Sequence, residues 1–174
     1  MKRFLFAAFG MFLSMVVGAG FALPAQAEES PLIGSFGDWQ AFKTKQGGKD
    51  VCLVSTKPSK SDPASAKRGD IFLMVSHFQE GNIRNQVQVL IGYPFKAGST
   101  ATLSVGKKKF DLFTDGENAF ARKTETDNDI VAAMRKGATV VVAGESQRGT
   151  KTTDTFSLKG ISAALDAIGK ACKF

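Results

Sequence analysis

Between Phe36 and Ser157 the apolar residues fall into short runs, and nearly every run stops at a glycine, an Asp-Gly pair or a proline. Runs of about four to eight residues suit strands, whereas a helix needs roughly ten or more. This spacing predicts a mainly β fold: a single-domain β-sandwich or barrel-like antiparallel sheet with two short helices, one of them C-terminal. Phe36–Phe42 reads as a short aromatic strand, and Gln46-Gly47-Gly48-Lys49 as a turn into a second strand, Asp50–Lys57. Ile71–Phe78 is apolar at successive positions and is predicted to be a central strand. Residues 86–91 alternate polar and apolar, the mark of a half-buried strand. Thr100–Val105 and Lys109–Thr114 meet at Gly106, and Asp115-Gly116 turns the chain into Glu117–Ala121. Thr139–Glu145 and Thr152–Ser157 complete the strands. The stretch 57–69 holds two prolines, three serines and four basic residues, and is predicted to be a loop.

Two segments change period. Ile130, Val131, Ala133 and Met134 fit helical spacing, and Gly137 ends a helix predicted over 127–136. Asp127 and Asp129 at its start, with Arg135 and Lys136 at its end, suit the helix dipole. From Leu158 onward, Leu158, Ile161, Leu165, Ile168 and Cys172 share one helix face. The only other cysteine, Cys52, shares a strand face with Val54. Two cysteines on inward faces can meet, and a bond between them would close a loop of more than a hundred residues. The chain-entropy value for a loop that long is about 5 kcal/mol. Two buried free thiols are the alternative.

The N-terminus carries its own pattern. Lys2 and Arg3 precede an uncharged, mostly apolar stretch from Phe4 to Leu23, and Ala25-Gln26-Ala27 follows. That is the pattern of a secretory signal peptide, residues 1–27, cut after Ala27. An uncleaved inner-membrane anchor is the alternative. Residues 28–35 read as a flexible leader and 36–174 as the folded domain. The expected location is the periplasm or outside the cell, which favours the disulfide. The whole chain has a formal charge of +7, and loss of Lys2 and Arg3 leaves +5.

Composition excludes much chemistry. With one histidine and two cysteines, the chain falls short of the roughly four ligands of a structural zinc site. It has no C-x-x-C, no phosphate-binding glycine loop and no G-x-S-x-G elbow. No metal or cofactor is predicted. His77, inside the apolar run 71–78, reads as one polar residue in a buried strand. A basic protein can attract anionic surfaces, but no aromatic-interleaved nucleic-acid motif is present, so no nucleic-acid partner is expected.

Two segments resemble a known family. One is Phe36-Gly37-Asp38-Trp39, followed after a turn by the strand carrying Cys52. The other runs from Gly144 through Gly160 into Ile161–Ile168, and its most specific part is Ser157, Leu158, Gly160, Ala164 and Leu165. Together they are similar to the invasion-associated locus B family, small exported proteins of alphaproteobacteria named for invasion of host red blood cells. The resemblance covers essentially all of 36–172. It implies a compact β-sandwich-like domain and no known enzymatic activity. Phe42 stands near a position where many members carry a cysteine, so the pairing of Cys52 with Cys172 rests on there being only these two cysteines and on the face assignment.

Candidate sites follow. Arg68-Gly69-Asp70 is an integrin-type tripeptide, but Asp70 also reads as the start of the next strand. Asp127 with Asp129 suggests a carboxylate-dependent hydrolase, and Asp111, Asp115 and Glu117 gather at a hairpin; helix-start and turn roles account for these acids. The polar stretch 146–155 separates two core elements and lacks a large apolar side chain. A plain hairpin turn at Gly149 explains its polarity. Arginine among hydroxyls can also hold a phosphate or carboxylate by charge-assisted hydrogen bonds. Ser146, Arg148, Thr150, Lys151, Thr152 and Asp154 are therefore the expected ligand-binding residues. The leading expectation is a non-enzymatic envelope protein whose partner is an unknown, anionic envelope or host-surface component. The other readings are the hydrolase and an envelope stability factor with no ligand.

Overall fold

The structure, a computed structural model, describes residues 31–174, so the expected signal peptide and its cleavage site lie outside the described residues. The strands are β1 (Leu32–Phe36), β2 (Trp39–Gln46), β3 (Lys49–Thr56), β4 (Lys60–Asp62), β5 (Phe72–Phe78) and β6 (Ile83–Leu90). They continue with β7 (Thr100–Val105), β8 (Lys108–Asp115), β9 (Asn118–Phe120), β10 (Thr139–Glu145) and β11 (Lys151–Ser157). The helices are α1 (Thr124–Met134) and α2 (Ile161–Cys172). All strands join one antiparallel sheet in the order β1-β2-β3-β5-β6-β9-β8-β7-β10-β11-β4. The sheet curls into a sandwich-like shape without closing, and both helices pack on its inner face.

Three local readings are corrected. Residues 32–35 belong to β1 rather than to a leader, because they pair with β2. The run Phe36–Phe42 is split by a turn at Gly37, whose φ of +59° suits glycine. The 57–69 loop contains β4, which pairs with β11 at the far edge of the sheet. Its flanking prolines fit an edge strand, which needs a donor row on one side only. In addition, α1 begins at Thr124, one turn earlier than its apolar spacing indicates.

The two family-like segments meet in space. The indole N–H of Trp39 donates to the Ser157 carbonyl at 3.0 Å, and the Asp38 N–H to the Lys159 carbonyl at 3.0 Å. A methyl group at Gly160 would collide with the Phe36 carbonyl. They form a structural joint, the β1–β2 turn seated on the start of α2.

Leu158, Ile161, Leu165, Ile168 and Cys172 are all buried, as their spacing predicts. Each large side chain buried from that face contributes about 1.5–3 kcal/mol of gross hydrophobic stabilisation. Cys172 is bonded to Cys52, 120 positions away, with the Cα atoms 6.0 Å apart. The Lys43 ammonium and the Gln79 amide reinforce the joint by donating to the Ala171 and Cys172 carbonyls.

Candidate functional site

The site begins with β4. Ser61 pairs with Asp154, and the Ser59 N–H and hydroxyl both donate to the Thr155 carbonyl. This fastens the start of the loop to β11. Its far end is fastened by Arg68, whose guanidinium makes a two-pronged contact with Asp154 at 2.7 and 2.5 Å. Ser61 donates to the same carboxylate at 2.6 Å. The Arg68 side chain is 4% exposed and that of Asp154 is 0% exposed. A buried ion pair holds only when its remaining hydrogen-bonding groups are satisfied, and Ser61 supplies part of that. The Gly69 N–H donates to the Gly92 carbonyl at 2.8 Å, so the whole loop is pinned.

The pinned loop forms one wall of a cleft of about 580 Å³. Pro63, Ser65, Ala66 and Lys67 line this side; Tyr93, Pro94 and the β10–β11 turn line the other. In the floor, the Tyr93 and Thr152 hydroxyls lie 2.7 Å apart, and the Arg68 guanidinium carbon lies 5.8 Å from the Tyr93 ring centroid. Burial pushes the Tyr93 phenol pKa up. The turn satisfies itself: the Ser146 N–H donates to the Thr150 carbonyl, the Thr150 N–H to the Ser146 hydroxyl, and the Gly149 N–H to the Ser146 carbonyl. Gly149 takes a φ of +83°.

Four of the six residues expected from the sequence therefore line one cleft: Ser146, Arg148, Thr150 and Thr152. Lys151 and Asp154 do not. Lys151 lies on the exposed start of β11, and the Asp154 carboxylate is taken by Arg68 and Ser61. Sequence reasoning missed Lys67, Tyr93 and the proline-and-alanine wall. Lys67 looked like one of many scattered lysines, because only the β4–β11 pairing carries its loop to this place. Lys67 and Arg148 both line the cleft, and neither is ion-paired among the described residues. No acidic side chain lines it. Its walls therefore focus a positive potential.

The other candidates are placed elsewhere. Arg68 of the Arg68-Gly69-Asp70 tripeptide is internal, and Asp70 pairs with Lys57 at 3.2 Å. His77 is buried, accepts at Nδ1 from the Asn85 N–H at 3.1 Å and sits against the Phe174 ring. Burial lowers its pKa. Asp127 is buried and accepts from the Val87 N–H at 2.9 Å, so its carboxylate is spent on a strand edge that β9 leaves unpaired. Burial raises its pKa to about 6, against that hydrogen bond. Asp129 is exposed, as are Asp111, Asp115 and Glu117.

The family model described as invasion associated locus B (IalB) protein matches residues 39–169. The chain belongs to the IalB family. That match contains both sides of the Trp39–Ser157 joint, both sides of the cleft and the Arg68–Asp154 pair. The IalB fold is also seen in the crystal structure of invasion associated protein B from Bartonella henselae. It is similar over 83% of this chain and 98% of that one, with a TM-score of 0.60 at 18% identity. No curated protein matches the chain. The IalB family is not a known enzyme family. No helix among the described residues is long and apolar enough to cross a membrane.

Proposed function

We propose that this IalB-family protein is exported and works by binding rather than by catalysis. Its cleft takes an anionic group, a phosphate or carboxylate, carried by an envelope or host-cell component. The observation that carries this reading is that Lys67 and Arg148 line one cleft with no acidic lining residue. Around them, Ser65, Gln147 and Thr150 offer neutral donors, and Pro63, Ala66 and Pro94 give an apolar rim. Charge-assisted hydrogen bonds from a guanidinium or ammonium are roughly twice as strong as neutral ones. Export is supported by the charged, apolar and A-x-A succession of residues 1–27 and by the disulfide.

The test is capture from envelope extracts of the native organism and from host-cell membranes. Immobilised wild type should retain a component that Lys67→Ala/Arg148→Ala loses, with both proteins equally stable. Equal capture by both would remove the cleft from the function. Capture by neither, with envelope defects in a deletion strain, would favour a stability factor without a ligand.

A further inference from the structure

Strand side chains alternate between faces, so the core on one side of the sheet fixes what stands on the other. Ala41, Cys52, Val54, Val75, Val87 and Val89 face the core. Both helices lie on that side, α2 through its bond to Cys52 and α1 through Ile130 and Met134. The opposite face of the same strands carries Phe42, Leu53, Met74, Phe78, Leu90 and Phe120. All six are partly exposed and none belongs to the core. Their rows run across the sheet: Phe42–Leu53–Ser76–Gln86, then Gln40–Ser55–Met74–Gln88–Phe120. No charged residue interrupts either row. Gln40, Ser55, Ser76, Gln86 and Gln88 are interleaved with these apolar side chains. The outer face of an antiparallel sheet in water is ordinarily polar, and large apolar side chains gathered on it mark an interaction surface.

We propose that this face is the interface between two copies of the chain, packed sheet against sheet. Size is the first argument. The face spans six strands from β2 to β8. At ~4.8 Å between strands, and on average about seven residues of ~3.3 Å along them, it has roughly 550 Å² of projected area. A corrugated surface exposes more than its projection, and a stable interface uses about 800 Å² per partner.

Charge is the second. Lys49 stands on the outward side of β3 with Leu53, and Asp115 on the outward side of β8 with Phe113. They occupy opposite corners, Lys49 at the β2–β3 turn and Asp115 at the β8–β9 turn, and neither is ion-paired among the described residues. A twofold axis lying in the face, at right angles to the line between them, sets each copy's Lys49 against the partner's Asp115. Such an isologous pairing is the usual way a chain meets itself. The other charges on this face balance too: Lys109 and Asp111 stand on the outward side of β8 with Phe113, and Arg122 over the Phe113 ring is offset by Glu117 at the β8–β9 turn. This balance disfavours an anionic membrane, which would select a basic rim.

Sedimentation velocity on the purified protein, from micromolar to millimolar concentration, tests this. The mass should double across that range. Met74→Lys should remain a monomer throughout while keeping its far-UV circular dichroism. Where Met74→Lys unfolds, Gln88→Lys, a polar position in the same row, should give the monomer. Lys49→Asp should weaken the dimer several-fold, and Lys49→Asp/Asp115→Lys should restore it. A wild type monomeric at every concentration overturns the proposal, as does a dimer unmoved by Met74→Lys and Gln88→Lys. Failure of the double charge swap to recover overturns the arrangement. A monomer that instead floats with phosphatidylglycerol vesicles, and loses this with Met74→Lys, assigns the face to lipid and overturns the dimer.

Discussion

In the half of the sheet built from β1, β2, β3, β5 and β6, the C-terminal helix is held by a covalent bond, Cys52–Cys172. In the half built from β8, β7, β10, β11 and β4, the loop over the cleft is held by a buried ion pair, Arg68–Asp154. The outer faces differ as well: the first half presents Phe42, Leu53 and Met74, whereas the second sets Thr102, Ser104, Thr153 and Thr155 around Phe113 and Val141. A disulfide acts largely on the unfolded chain and asks little of its surroundings. A buried ion pair must recover the desolvation of two charges through geometry. Here that geometry brings Lys67 to the cleft that Arg148 also lines. The covalent tie therefore serves stability, and the ionic tie serves the shape of the cleft.

Five variants break or sharpen this contrast. The largest effect is expected from Cys52→Ala/Cys172→Ala. Chain-entropy reasoning gives a loss of about 5 kcal/mol for so long a loop, read by urea denaturation, with the cleft unchanged in the folded fraction. A loss below about 1 kcal/mol would mean that α2 docks by its apolar stripe alone. Next is Arg68→Ala, which strands the Asp154 carboxylate in the interior at a cost of about 3–5 kcal/mol. Arg68→Met/Asp154→Leu should regain most of that stability yet still lose ligand capture. If capture survives in the double variant, the ion pair does not shape the cleft.

Asp127 lies at the seam, where α1 packs on β6, β7 and β8. Its pKa rises from an ordinary 3.8 to about 6 in the folded protein, chiefly through burial. A raised folded pKa favours the protonated fold. This contribution is complete below pH 3.8 and is lost as the pH climbs through about 6. His77 has the opposite sign, its lowered pKa supporting the fold above its ordinary 6.5 and withdrawing that support as the pH falls. Asp127→Asn keeps an acceptor for the Val87 N–H. It should raise stability at pH 7 by roughly 1–3 kcal/mol and flatten the slope between pH 4 and 6. An unchanged slope would place the titration elsewhere. The smallest effect on stability belongs to Arg148→Ala, within about 0.5 kcal/mol as for a surface change.

The ties also differ in how far the sequence discloses them. Cys52 and Cys172 each lie on a stripe set by local period, 2.0 in a strand and 3.6 in a helix, so their meeting could be read from residues alone. Nothing local marks Arg68 as the partner of Asp154. That pairing depends on β4, three polar residues between prolines, crossing to the far edge of the sheet. The same gap hid Lys67, and it made Asp154 look like a ligand residue. Ile71–Phe78 was legible as central, but apolar on both sides did not mean covered on both sides: Met74 and Phe78 face outward with no layer over them among the described residues. At Gly37 the turn needs a positive φ, and a side chain there would also meet the Lys159 carbonyl, a contact that only the folded chain brings about.

The central claim is that the cleft is an anion site built on a rigid frame. Titration of the ¹⁵N-labelled protein with inorganic phosphate, followed by the amide resonances, tests it most directly. The account predicts saturable shifts confined to Lys67, Tyr93 and residues 146–152 in the wild type. It also predicts their disappearance in Arg148→Ala, with the rest of the spectrum unchanged. Weak, unsaturated shifts spread over the exposed lysines at 107–109 and elsewhere, equal in wild type and Arg148→Ala, would contradict it.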